Sequence, residues 1–320
     1  MTSEPTTNLR AFSDGLAVAV ERAAAATVLV AARRHIPASG VVWSEDGLVV
    51  TADHAIETED EITVGLPDGS EAKAQLVGRD PASDLALLRV EGAPAPASIA
   101  PAGSAQVGQL ILAVARPTPG GPQASLGVIS AVAAAPLEGI RRHGRHRAAP
   151  AHLEGYLRTD VTFFPGFSGG PLVDVDGRVL GVNVSLIGGP RMFRFARAAF
   201  GQGFTVDAAS VSRTVELLKT HGRVRRAYLG IASQPVTVPT AGGAEPTEGL
   251  LIVSVEADTP AAQAGVLVGD ILVGIEGAPV RDADDLQRAL SPERVGMTVQ
   301  LQLIRGGAAH ELAVTLGARE

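Results

Sequence analysis

Pro165-Gly166-Phe167-Ser168-Gly169-Gly170-Pro171-Leu172-Val173 reads as a tight, glycine-rich turn. A serine that acts as a nucleophile needs such a turn. Its Oγ must be exposed, and backbone N–H groups must face the oxygen that turns negative in a tetrahedral intermediate. Gly166 permits the geometry in which its own N–H and that of Ser168 converge. Gly169 and Gly170 keep the far side clear for a substrate main chain. Taken alone, the pentapeptide Gly166–Gly170 fits an ordinary turn as well, because the chain holds 37 glycines in 320 residues. A serine is also feebly nucleophilic until a base takes its proton, so the histidines must be searched.

Outward from this turn, the chain is a succession of short β-branched runs. Thr27–Val30, Gly40–Trp43, Leu48–Thr51, Ile62–Leu66, Ala74–Val77, Leu85–Val90, Leu110–Ala115, Leu126–Val132 and Val179–Ser185 predict strands separated by glycine-bearing turns. That pattern predicts a mainly β fold of barrels or sandwiches. Leu9, Phe12, Leu16 and Val20 recur at helical spacing, predicting an N-terminal helical segment over 1–24 that docks on the body or serves self-association. A β-rich body over 25–220 ends in a helix over Ser212–Leu218, a linker follows over 221–227, and 228–320 forms a second unit. In that unit, strands are expected at Leu250–Val255, Ile271–Ile275, Val299–Ile304 and Glu311–Thr315. Helices are expected after Thr259-Pro260 and over Ala283–Leu290, the latter capped by Asp282.

Composition narrows the function. The chain is 46% hydrophobic and 19% charged, enough to bury a core, and with 8 Phe, 1 Trp and 2 Tyr that core is aliphatic. It has no cysteine, which excludes disulfides, thiolate metal sites and a cysteine nucleophile. A net charge of −7 argues against nucleic acid as a partner. No metal or nucleotide cofactor is expected, since neither paired metal-binding histidines nor a phosphate loop is present. The apolar runs near the N-terminus are too short to span a bilayer, and no signal-peptide pattern is seen. The expectation is therefore a cytoplasmic chain as given, or an extracytoplasmic one if a leader precedes it.

Of the 7 histidines, His54 follows the apolar run Leu48–Thr51 at a strand-to-helix corner, where a rigid scaffold can present a base. The others lie in polar loops, at a helix end or in the last hairpin. A third group must hold the imidazole in the correct tautomer. Asp84 directly precedes the apolar run Leu85–Leu88, where an unpaired carboxylate would be costly; a hydrogen bond to His54 would satisfy it. Asp53 and Asp80 are rival orienters in more solvated contexts. The chain order is then His54, Asp84, Ser168.

On these residues the first two thirds resemble the HtrA group of trypsin-like serine proteases. The resemblance is carried by Gly47–His54, Val77–Leu88, Pro165–Val173, Gly203–Val206 and Arg225–Ile231. The last third resembles the PDZ domain that follows the protease in that family. What this implies is a chymotrypsin-like double β-barrel followed by a PDZ domain, and an ATP-independent endopeptidase acting on unfolded or exposed polypeptide in protein quality control. It further implies Ser168 as nucleophile, His54 as base, Asp84 as its orienter, and an oxyanion hole from Gly166, Phe167 and Ser168. Phe163, Val182, Asn183 and Val184 are implied as a pocket for small aliphatic side chains. Tyr228, Leu229, Gly230 and Ile231 are implied as the loop that holds a peptide's terminal carboxylate. A homotrimer or larger assembly is implied as well.

Three departures bear on activity, one being Asp53, which stands where a small or amide residue usually precedes the base and could compete with Asp84 for His54. Phe167 stands where the family usually has Asn, and a bulky aromatic there could displace the oxyanion turn. Ala115-Arg116-Pro117-Thr118-Pro119-Gly120 replaces the usual Gly-Asn-Pro-Phe-Gly. The competing expectation is thus an inactive or latent protease-like scaffold that recruits peptides through the PDZ groove. The resemblance implies that the basic clusters Arg141–Arg147 and Arg191, Arg194, Arg197 fall in regions that are activation loops in the family; by themselves they read as solvated loops or as a contact for a polyanion, an acidic substrate or a neighbouring subunit.

Overall fold

β-Branched and leucine runs between residues 27 and 90 form six strands: β1 (Thr27–Ala31), β2 (Ala38–Val42), β3 (Leu48–Ala52), β4 (Ile62–Gly65), β5 (Glu71–Asp80) and β6 (Leu85–Val90). They close into an antiparallel barrel in the order β1-β2-β3-β6-β5-β4. Closure leaves no edge strand to pair with another chain. The computed structural model from which this is taken describes residues 4–33, 36–132, 155–184, 203–238 and 247–319. The chain divides into two compact units between Val224 and Arg225.

A second barrel in the first unit comprises β7 (Leu110–Ala115), β8 (Gln123–Val132), β9 (Tyr156–Thr159), β10 (Pro171–Val173), β11 (Val179–Val184) and β12 (Gly203–Asp207), in the order β10-β11-β12-β9-β8-β7. Val28, Val30, Val42, Val49, Val64 and Leu88 fill the first barrel. Ile111, Ile129, Leu157, Leu172 and Phe167 fill the second. Every residue of β2 and β3 is buried, because one face lines the first barrel and the other meets β7 and β11 of the second. This is why these strands read as continuous apolar runs rather than alternating ones.

Helix α1 (Glu4–Ala24) packs on β7, β1 and β10. It docks through Ala19, Ala23 and Ala24, while Leu9 and Phe12 are exposed. The helical spacing of the large apolar residues was legible, but the buried face is the alanine one, which lets the backbone approach closely. Helix α2 (Ala208–His221) is longer than expected from sequence. Asp207 caps it by accepting the Ser210 N–H at 2.8 Å, and Gly222, at φ 70°, ends it.

In the second unit, β14 (Ile231–Val238), β15 (Thr247–Val255), β16 (Ile271–Ile275), β18 (Thr298–Arg305) and β19 (Ala308–Thr315) follow one another across a sheet, with β17 (Ala278–Pro279) hooked onto β16. A small separate pair joins β13 (Arg226–Tyr228) to β20 (Gly317–Arg319). Helices α3 (Pro260–Gln263) and α4 (Ala283–Ala289) carry the caps expected of Thr259 and Asp282. Within 221–227, α2 runs to His221, Arg223 forms an isolated β-bridge with Arg79, and β13 begins at Arg226. Among the described residues no helix is long and apolar enough to cross a membrane.

Candidate active site

His54 and Asp84 are brought together by strand pairing. β3 and β6 are neighbours, with Ala52 opposite Leu85. Asp53, just beyond β3, therefore lies beside Asp84, just before β6, its N–H donating to Asp84 O at 3.1 Å, and His54 follows in the next position. His54 sits in a 3-10 turn, Asp53–Ala55, and Asp84 adopts φ 56°, a left-handed conformation that Asp tolerates. The Asp84 carboxylate lies 2.9 Å (Oδ1) and 2.8 Å (Oδ2) from His54 Nδ1, and Oδ1 also accepts the His54 backbone N–H at 2.9 Å. An ionised carboxylate only accepts, so Nδ1 carries the proton and Nε2 is left as the basic nitrogen.

The rival carboxylates are engaged elsewhere. Asp53 Oδ1 accepts from Arg79 Nε at 2.6 Å, and Asp80 accepts from the Ser83 hydroxyl at 2.6 Å. Arg79 also reaches Glu59 and the carbonyls of Asp53 and Ile56, clamping the turn that presents His54. These carboxylates hold the Arg79 guanidinium pKa above its ordinary value, the Asp53 hydrogen bond most of all.

The Ser168 turn is held peptide by peptide. Phe164-Pro165-Gly166-Phe167 closes through Phe167 N–H donating to Phe164 O at 3.1 Å, with Pro and then a glycine at φ 91° in its two central places. That is the sequence signature of a type II turn. Gly170 N–H donates to Phe167 O at 3.1 Å, and Gly169 N–H donates to Asn183 O at 2.7 Å. Among the described residues, no main-chain acceptor takes the N–H of Gly166 or of Ser168. Gly169, at φ 83°, fits against the end of β3: a Cβ there would lie 2.5 Å from Thr51 Oγ1 and 2.9 Å from Ala52 N. The turn thus abuts the strand that leads into His54.

Phe167 does not occupy the donor side of the turn. Its ring is fully buried in the second barrel, stacked on Phe163 at 6.4 Å and edge-on to Phe164 at 5.6 Å. Phe163 packs against the same core. Val182, Asn183 and Val184 lie on β11 beside the turn and are buried. The Asn183 side chain is committed to structure: Nδ2 donates to Pro171 O at 3.1 Å and Oδ1 accepts from Thr205 Oγ1 at 2.9 Å. Ser185, His35, His152 and the basic clusters 141–147 and 191–197, with His143 and His146, lie outside the described residues.

The second unit has its own candidate loop. Tyr228 ends β13 and its hydroxyl donates to Glu256; Leu229 is in the core; Gly230 has φ 85°; Ile231 opens β14. The carbonyls of Leu229 and Gly230 accept from Ala261 and Glu256 N–H at 2.9 Å each. Among the described residues, no main-chain acceptor takes the N–H of Leu229 or Gly230. Among the described residues β14 pairs only with β15 and so is an edge, and α4 lies against it.

Sequence reasoning gave no role to Ser39, Arg79 or Arg116, the polar groups that hold the site. The available signal was a serine in the otherwise apolar strand Ala38–Val42, and arginines beside buried segments. No metal-binding cluster is found among the described residues.

Comparison with known proteins agrees with this fold. Residues 38–182 match the trypsin-like peptidase domain family and residues 227–316 match the PDZ domain family. The chain is 32% identical over 282 residues to a probable periplasmic DegP-like serine endoprotease of Pseudomonas fulva, covering 87% of this chain and 55% of that protein. It is 31% identical over 287 residues to the Chlamydia trachomatis counterpart, covering 89% and 54%. The chain therefore spans about half the length of the curated relatives it matches. Among solved structures, a Yersinia pestis serine endoprotease superimposes with TM-score 0.74 at 28% identity, covering 95% of this chain and 98% of that one. The HtrA-type protease AlgW with a decapeptide superimposes with TM-score 0.75 at 26% identity, covering 95% and 99%. With its barrel pair and its PDZ unit, this chain joins a trypsin-like peptidase domain to a PDZ domain and is similar over most of its length to HtrA-type, DegP-like serine endoproteases.

Proposed function

We propose that the chain is an ATP-independent serine endopeptidase that cleaves unfolded or exposed polypeptide, with Ser168 as nucleophile. His54 Nε2 removes the Ser168 proton as Oγ attacks the scissile carbonyl, then returns it to the leaving amine. Asp84 holds the imidazole and stabilises its protonated form. The N–H groups of Gly166 and Ser168 receive the oxyanion. One observation carries the reading: the His54–Asp84 contact at 2.8 Å beside a turn whose Gly166 and Ser168 N–H groups meet no main-chain acceptor among the described residues. Phe167 is buried among core side chains of the second barrel.

In this reading the peptidase lies within residues 25–220, with 221–227 joining it to the peptide-binding domain at 228–320. Phe163 and β11 at Val182, Asn183 and Val184 bound a pocket for small aliphatic side chains, since no carboxylate stands among them to hold Lys or Arg. A C-terminal peptide adds to the β14 edge, its carboxylate taken by the main chain of Tyr228–Ile231. Assembly into a homotrimer or larger oligomer belongs to the same proposal.

The test is labelling by a fluorophosphonate together with cleavage of casein. The wild-type chain takes the label and cleaves casein; Ser168→Ala does neither. Equal cleavage by the two would overturn the reading.

A further inference from the structure

Ser39 is fully buried in β2, on the first barrel. A hydroxyl there is costly unless its bonds are met, and all of them are met at the Ser168 turn and its surroundings. Oγ donates to Gly166 O at 2.8 Å and accepts the Arg116 backbone N–H at 2.8 Å. The Ser39 N–H donates to Ser168 O at 3.0 Å, and its carbonyl accepts from Thr51 Oγ1 at 2.7 Å. One residue of the first barrel therefore grips the carbonyls on both sides of Phe167 in the second.

We propose that Ser39 is a positioning residue for the oxyanion turn, pinning the Gly166 carbonyl so that the Gly166 and Ser168 N–H groups stay converged. This rests on the peptidase reading above. Without a Cβ, Gly166 is the residue about which the turn can pivot most freely. Its carbonyl belongs to the Gly166–Phe167 peptide, whose other end is fixed by Phe167 N–H on Phe164 O. With the carbonyl held too, that peptide has no free rotation. The Ser168–Gly169 peptide is held in the same way, by the Ser39 N–H at one end and Asn183 O at the other.

Arg116 is the strut behind Ser39. It is 7% exposed, and its guanidinium donates through Nε to Thr27 O at 2.8 Å and through an Nη to Ala24 O at 3.1 Å. Ala24 ends α1, so Arg116 satisfies a carbonyl left open at a helix C-terminus. Burial among main-chain carbonyls lowers its pKa. The result is a continuous path from the end of α1, through Arg116 and Ser39, to Gly166.

The test compares the wild-type chain, Ser39→Ala, Ser39→Cys and Val64→Ala, the last a first-barrel core truncation away from the turn. Each is assayed below the onset of its own thermal unfolding. For Ser39→Ala, kcat on a peptide substrate is expected to fall about 10- to 100-fold with KM within about twofold, below the about 100- to 1000-fold cost of removing an oxyanion donor outright. The rate of fluorophosphonate labelling falls by the same factor, and affinity for a peptide aldehyde falls with it. Val64→Ala keeps the wild-type kcat. Ser39→Cys keeps the volume with a poor donor, so it shows the same loss and serves if the alanine variant does not fold. Wild-type kcat and labelling rates in a folded Ser39 variant would overturn the proposal and leave the peptidase reading standing. A wild-type chain that takes no label overturns both.

Discussion

Asp53 and Arg79 show how single side chains set the base. The carboxylate next to His54 could have drawn the imidazole away from Asp84; instead Arg79 takes it, at 2.6 Å, and ties down the Asp53 and Ile56 carbonyls as well. Arg79→Met strips the partner from a carboxylate whose side chain is 11% exposed, so it is expected to cost about 3 kcal/mol. Asp53→Asn added to it should recover much of that loss. The two single variants and the double one, measured by urea unfolding, give a coupling energy of at least about 1 kcal/mol if the pair acts as a unit. Strict additivity would contradict it. Asp84→Asn keeps the contact with His54 but presents an amide where Nδ1–H needs an acceptor. A fall in kcat of about 10⁴-fold with little change in KM is expected, read from steady-state peptide hydrolysis. At this scale the sequence neighbourhoods of His54, Asp84 and Ser168 marked them as candidates, and the structure pairs His54 with Asp84. Arg79 and Ser39 were not, because their partners are main-chain and side-chain groups far along the chain.

Among the elements, the tightest fit is between the Ser168 turn and the β2–β3 pair. Gly169 packs so closely that a Cβ would stand 2.1 Å from Ser39 O, at a φ of 83° that L side chains rarely adopt. Gly169→Ala is expected to cost at least about 3 kcal/mol through clash and backbone strain, shown as a large drop in the thermal midpoint. β14 was missed as a strand because Pro235 interrupts Ile231–Val238. As an edge strand it tolerates a proline. That proline offers no N–H to an added strand. Peptide affinity should therefore rise with length until the ligand passes Gln234 and then level off, while Pro235→Ala lets longer peptides gain about 0.5–1.5 kcal/mol. Calorimetric titration of a C-terminal peptide series checks this; a steady rise past that point in the wild type would refute it. The short strands Tyr156–Thr159 and Pro171–Val173 were equally hidden, being too brief for any alternation to show.

For the molecule as a whole, acid sensitivity follows from an ion pair in the second unit whose carboxylate is buried and whose arginine is partly exposed. Arg305 grips Asp270 through Nε and an Nη at 2.7 Å each, and Leu267 N–H adds a third bond at 2.8 Å. The hydrogen bond from Arg305 holds the Asp270 pKa below the ordinary carboxylate range. A depressed folded-state pKa stabilises fully above the unfolded value, near 3.9. That contribution is lost as pH falls through the folded value. The unfolding transition reporting on residues 225–320 should therefore weaken below about pH 4, and Asp270→Asn should flatten that dependence while lowering stability by about 2–4 kcal/mol at neutral pH. Circular dichroism melts of the full chain from pH 3 to 7 decide it; an unchanged acid limb in Asp270→Asn would count against the pair. The aliphatic runs, the turn glycines and the three site neighbourhoods by themselves determined a mainly β chain, its two kinds of unit and the residues that could form a triad, because each depends on local patterning. Only the tertiary structure decided that Phe167 belongs to a barrel core, that α1 docks by its alanines, and that Ser39, Arg79 and Arg116 hold the site. Those are pairings across dozens of residues, set by which strands close each barrel and which face then meets the other.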